Sequence, residues 1–229
     1  MIFAANFKTN HTRISTEQYI EVLNQKLLAK KPEDQVYIFP PATALNNYEG
    51  DFTLGVQNAY PVQNGAYTGE IGVEQLEEFG IRTILIGHSE RREHLGESQE
   101  IIAQKFAFFK EQGFEIIYCI GEPLEIREQG DEAVIEYLLA QFDGIDISYK
   151  DLIVAYEPIW AIGTGRSATV EEITSTHTSL KKMVYKPLLY GGSVKPENIK
   201  EITGIRGVDG VLVGSASLDA EGFAKIILS

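Results

Sequence analysis

The chain has 229 residues, 44% of them apolar, enough to bury a substantial core and in keeping with one large α/β domain spanning residues 1–229. Its 33 acidic against 20 basic residues give a formal charge of −13, which disfavours nucleic acid and anionic membranes as partners and demands a local cationic pocket for any anionic substrate. A single cysteine, Cys119, excludes an intrachain disulfide, and with neither a secretory signal nor a bilayer-length apolar run in view the expected location is cytoplasmic.

In chain order, short apolar runs predict buried strands at Ile2–Ala5, Val36–Phe39, Thr53–Val56, Thr83–Ile86, Ile116–Ile120, Leu152–Ala155, Leu188–Tyr190 and Val211–Val213. Segments with helical spacing lie between them, such as Tyr19, Val22, Leu23 and Leu27, then Ile101, Ile102, Phe106 and Phe109, and finally Phe223, Ile226 and Ile227. Strand and helix alternate, with roughly 30 residues per unit, the length of a strand plus its crossover helix. Alternation implies a parallel sheet. Eight units without a polar edge strand favour closure into an α/β barrel, (β/α)8, over an open doubly wound sheet.

Chemistry in such a barrel collects where the chain leaves the C-terminal ends of the strands. The first exit carries Asn6, Phe7 and Lys8, and the fourth carries Gly87, His88, Ser89 and Glu90. The fifth leads through Cys119 to Gly121 and Glu122, and the sixth into AYEPIWAIGTG, Ala155 to Gly165. Strands seven and eight exit at Gly191, Gly192, Ser193 and at Gly214, Ser215. A carboxylate, an imidazole, a cation and two small-residue turns therefore face one mouth. Turns of small residues after strands seven and eight are where barrels commonly hold phosphate on backbone N–H groups.

Glu157 is pinned by Pro158 and followed by an apolar segment, Ile159 to Ile162, too oily for an idle surface loop; it reads as a lid that would strip water from the carboxylate and raise its pKa. Ser89 and Glu90 look like a first helical turn, whose positive end would keep His88 neutral. Lys8 supplies the local cation that the overall charge demands. His11, His94 and His177 read as ordinary surface or core residues, and Cys119 as a small buried thiol. The spacing of Gly163, Gly165 and Ala168 satisfies a relaxed dinucleotide fingerprint, but no acid lies where the ribose would need one, so a nicotinamide-binding reading is weak.

NFK at Asn6 to Lys8, GHSERR at Gly87 to Arg92, AYEPIWAIGTG, YGGSV at Tyr190 to Val194 and LVGSAS at Leu212 to Ser217 together resemble the motifs of the triosephosphate isomerases, in order and over nearly the whole chain. The resemblance implies a TIM barrel that interconverts dihydroxyacetone phosphate and D-glyceraldehyde 3-phosphate through an enediol(ate), in glycolysis and gluconeogenesis, with no metal or organic cofactor. It implies Glu157 as general base, His88 and Lys8 as stabilisers of oxygen charge, Asn6 beside them, and phosphate held by Gly163, Ser193, Gly214 and Ser215. Glu90 and Glu122 are expected to stand behind these groups. The resemblance also implies a homodimer in which the connection Gln57–Gly72, with Thr68, reaches a neighbouring subunit. Phe7 where many members have tryptophan, Ser215 in place of a glycine, and a short Thr169–Lys186 segment depart from the usual pattern. The main rival is another phosphate-binding barrel enzyme, an epimerase or aldolase, which would normally show a Schiff-base lysine or metal ligands at other strand ends.

Overall fold

The computed structural model describes residues 1–162 and 166–229. Its eight strands are β1 (Ile2–Asn6), β2 (Gln35–Phe39), β3 (Thr53–Leu54), β4 (Thr83–Ile86), β5 (Glu115–Ile120), β6 (Leu152–Tyr156), β7 (Leu188–Tyr190) and β8 (Gly210–Val213). All neighbours pair in parallel in the order β3-β2-β1-β8-β7-β6-β5-β4. The two ends of that order meet through Val56, whose N–H donates to the Thr83 carbonyl at 2.9 Å and whose carbonyl accepts from the Leu85 N–H at 3.0 Å. The sheet is thus a barrel. The third predicted strand reached Val56, but the ladder to β2 ends at Leu54 because Val56 turns its hydrogen bonds to β4.

Nine helices surround the sheet among the described residues: α1 (Arg13–Leu27), α2 (Val73–Glu77), α3 (Ser89–Leu95), α4 (Gln99–Glu111), α5 (Leu124–Arg127), α6 (Asp131–Ala140), α7 (Val170–Lys181), α8 (Ile199–Thr203) and α9 (Ala220–Ile227). Local chemistry sets their starts. Thr12 and Ser15 form a reciprocal capping box at α1, Thr169 and Glu172 form another at α7, and Asp219 caps α9 through the Gly222 N–H. Strict alternation fails after β2, where Pro40, Pro41 and a polar, glycine-containing stretch permit only one 3₁₀ turn, Ala42–Ala44, before β3. None of the described helices is long and apolar enough to cross a membrane.

The pleat divides each strand between two packed layers. Ile2 and Ala4 of β1, Ile117 and Cys119 of β5, and Ile153 and Ala155 of β6 fill the barrel interior. Phe3, Ala5, Ile116, Val154 and Tyr156 point outward into the layer shared with the helices. On that side Phe223, Ile226 and Ile227 of α9 are almost fully buried, each contributing roughly 1.5–3 kcal/mol. Alternation has a consequence for the mouth: Asn6, Glu157, Gly191 and Gly214 continue the inward-facing series of β1, β6, β7 and β8.

Candidate active site

Asn6, Lys8, His88, Glu157, Ser193, Gly214 and Ser215 line one cavity of about 240 Å³ at the C-terminal ends of the strands. Ala161, Ile162 and Arg166 close its side, and Gly191, Lys195 and Ala216 also line it. Of the residues read from sequence, Gly163 lies outside the described residues. Arg166 and Lys195 were not singled out; Gly191 stood at the seventh strand exit and Ala216 within LVGSAS without a binding role, and the first glycine of YGGSV continues the inward face of β7.

Glu157 is 2% exposed and held between two backbones that leave no room for a side chain. A Cβ on Gly121 would collide with the Glu157 carbonyl oxygen, and one on Gly191 would lie 2.9 Å from the Glu157 Cγ. Among the carboxylate's contacts, Oε1 lies 3.0 Å from His88 Nε2, and Oε2 accepts from the Ser89 N–H at 3.0 Å, at the start of α3. Burial alone would raise this acid, as the sequence suggested. The His88 ring, its hydrogen bond, the Ser89 N–H and the Lys8 ammonium outweigh burial and hold the carboxyl below its ordinary range. The expected upward shift is therefore reversed here, because the acid rests on partners instead of facing a dry cavity.

His88 caps the start of α3, and its Nδ1 accepts from the Glu90 N–H at 3.3 Å. In a neutral ring that leaves the proton on Nε2, the nitrogen nearest Glu157. Burial disfavours the imidazolium, but the neighbouring Glu157 carboxylate and the hydrogen bond to it, with a smaller share from Glu90, raise the ring above its ordinary value.

Lys8 has a left-handed backbone, φ +51°, steadied from two sides. Its N–H donates to Asn6 Oδ1 at 2.9 Å, and its carbonyl accepts from Gln57 Nε2 at 2.8 Å; the same Gln57 nitrogen donates to the Phe39 carbonyl at 2.9 Å. Its ammonium pairs with Glu90 at 2.6 Å. Gln57 was read only as the start of a long connection; nothing in the sequence marks its amide as a clamp on the lysine backbone. The small-residue turns approach this cation closely, since a Cβ on Gly214 would lie 3.0 Å from Lys8 Cε. Ser215 opens a 3₁₀ turn, Ser215–Ser217, and is not among the left-handed residues, so a side chain is accommodated there without backbone strain.

Behind the cavity, Glu122 is fully buried and its Oε1 accepts from Arg127, from the Tyr156 hydroxyl at 3.1 Å and from the Trp160 indole N–H at 3.0 Å. The Ile159 N–H also donates to the Glu122 carbonyl at 3.1 Å. The first residues of the apolar segment after Glu157 are thereby moored to the β5 exit. Among the described residues, no group of three or more His, Cys, Asp or Glu is arranged to hold a metal.

A triosephosphate isomerase family profile matches residues 1–229. Among curated relatives carrying that name, the protein of a Sulfurovum species is 67% identical over 229 residues, covering 100% of both chains. Those of Wolinella succinogenes and a Nitratiruptor species are 56% and 55% identical, covering 99% of this chain and 99% and 97% of their own. A barrel whose strand ends gather an acid, an imidazole and a lysine around one cavity, matched over its full length by that profile and those relatives, belongs to the triosephosphate isomerase family.

Proposed function

We propose that the chain, acting as one barrel domain, interconverts dihydroxyacetone phosphate and D-glyceraldehyde 3-phosphate by proton transfer through an enediol(ate), with Glu157 as the base. The observation that carries the reading is the convergence of Glu157, His88 and Lys8 on one cavity that Ser193, Gly214 and Ser215 also line. Lys8 stands close to the Gly214 turn, which supports a phosphate held there, and Glu157 with its His88 partner is left for the reacting carbons.

Glu157 engages the His88 Nε2–H that a substrate oxygen needs. Substrate entry exchanges these partners: the ring donates to the substrate oxygen, and the carboxylate is released toward the C–H bond. Separation withdraws the charge that raises the imidazole, so burial and the Glu90 N–H then favour a neutral ring, able to polarise a carbonyl without surrendering its proton. Glu157 loses the ring that held its pKa down, and water exclusion by Ala161 and Ile162 raises it toward the range of a useful base. Lys8 stabilises the developing oxyanion and the phosphate. An acid base, a neutral imidazole and a water-excluding lid are the established division of roles in this family, and the exchange describes how this chain would reach it.

A coupled assay with each triose phosphate tests the reading: both directions should proceed, and failure in both would refute it. An epimerase or aldolase reading finds no specific support in the cavity lining.

The partner and location follow the same family. The connection 57–72 presents Tyr67 and Thr68 at its exposed tip, and a groove beside Lys8 lined by Thr9, Asn10, Gln57, His94 and Leu95 is suited to receive such a tip from a second copy. A homodimer working in the cytoplasm, in glycolysis and gluconeogenesis, is the corresponding proposal. Sedimentation as a monomer at about micromolar concentration, where a stable dimer stays assembled, would argue against the assembly.

A further inference from the structure

Besides Lys8, one other non-glycine residue among those described has a left-handed backbone: His11, at φ +67°. Glycine would adopt that conformation without strain, so a histidine there must gain something through its side chain. Its ring packs on Phe7 with centroids 4.7 Å apart and meets Tyr19 edge-on at 5.6 Å. Nε2 lies 3.0 Å from the Leu218 carbonyl oxygen and Nδ1 lies 3.1 Å from Ser15 Oγ. A carbonyl only accepts, so Nε2 carries the proton and, in a neutral ring, Nδ1 accepts from the Ser15 hydroxyl.

Leu218 directly follows the turn Ser215–Ser217, and its N–H donates to the Ser215 carbonyl at 3.2 Å. His11 therefore joins the loop leaving β1 to the loop leaving β8. The same two loops meet again at the mouth, where a Cβ on Gly214 would lie 3.5 Å from Lys8 Nζ. From this pair of contacts, one behind the cavity and one inside it, we infer that His11 is a positioning residue that rivets the two loops together and sets the distance between the Lys8 ammonium and the Gly214–Ser215 turn. The inference rests on the reading of those groups as the phosphate site.

The test compares His11→Gly, His11→Asn and His11→Gln by KM, kcat and competition with inorganic phosphate, alongside the thermal unfolding midpoint. Glycine and asparagine accept the left-handed backbone but cannot reach Leu218. Both substitutions should weaken inorganic phosphate and raise KM by roughly three- to tenfold, the worth of one hydrogen bond, with a smaller change in kcat. Glutamine, long enough to donate to the Leu218 carbonyl, should recover most of that loss. Lowered midpoints with KM and phosphate competition within about twofold in all three variants would assign His11 a packing role only and overturn the inference. An unsubstituted protein that is not inhibited by inorganic phosphate and isomerises neither triose phosphate would instead refute the functional reading, and this inference with it.

Discussion

Each end of the barrel holds a carboxylate, and the two sit among opposite kinds of partner. At the N-terminal end Glu115, first residue of β5, accepts from the Tyr37 hydroxyl at 3.0 Å and from the Thr83 hydroxyl at 3.2 Å. At the C-terminal end Glu157 rests on an imidazole and a helix-start N–H, with an ammonium nearby. Burial pushes the Glu115 carboxyl up, and its neutral hydroxyl donors do not reverse the shift. Burial pushes Glu157 the same way, but partners that bear or can acquire positive charge carry it below the ordinary range. The difference shows that depth alone does not make a base. In the proposed reaction Glu157 exchanges its partners for a substrate, whereas Tyr37 and Thr83 serve Glu115 at the opposite end.

The largest effect that could break this contrast is on turnover. Glu157→Gln keeps size and hydrogen-bonding capacity but removes the base, and should lower kcat by roughly 10² to 10⁴ or more. Glu115→Gln should leave kcat within about twofold, because a group acting only at the floor does not enter the transition state. Comparable losses in the two variants, measured in the coupled assay, would erase the distinction between the ends.

A smaller effect sharpens it through pH. For Glu115 the folded carboxyl is raised, so the folded protein binds the proton more readily; its contribution to stability is greatest below the ordinary value of 4.5 and declines as pH rises through the folded value. For Glu157 the folded value is depressed, so its contribution is present above 4.5 and is lost as pH falls through the folded value. The difference in unfolding midpoint between the parent and Glu115→Gln should therefore shrink as pH rises across the acid range, while that between the parent and Glu157→Gln should grow. Each change should amount to about 1–3 °C. Slopes of the same sign would contradict the assignment of partners.

Much of this architecture was legible from periodicity. β4 and β7 have the predicted bounds, and most other strands differ at their ends by one residue. The failures have local causes. Val56 left the third strand's ladder to close the barrel, and the prolines and polar residues after β2 left no apolar stripe to build a helix. At the mouth, strand ends and small-residue turns drew attention to Asn6, Lys8, His88, Glu157, Ser193, Gly214 and Ser215, the family resemblance singled them out, and the structure brings them to one cavity. Partners from distant segments were not legible. The downward shift of Glu157, the Gln57 amide on the Lys8 carbonyl and the reach of His11 to Leu218 each depend on residues far apart in the chain, and no spacing rule registers them.

The central claim is that Glu157 itself carries hydrogen between the two carbons, and the measurement closest to it is isotope uptake from solvent. With dihydroxyacetone phosphate in D₂O, followed by proton NMR, the protein should place deuterium at carbon 2 of the glyceraldehyde 3-phosphate formed, and Glu157→Gln should lose uptake and isomerisation together. Undiminished isomerisation and deuterium uptake in the Glu157→Gln variant would contradict the account.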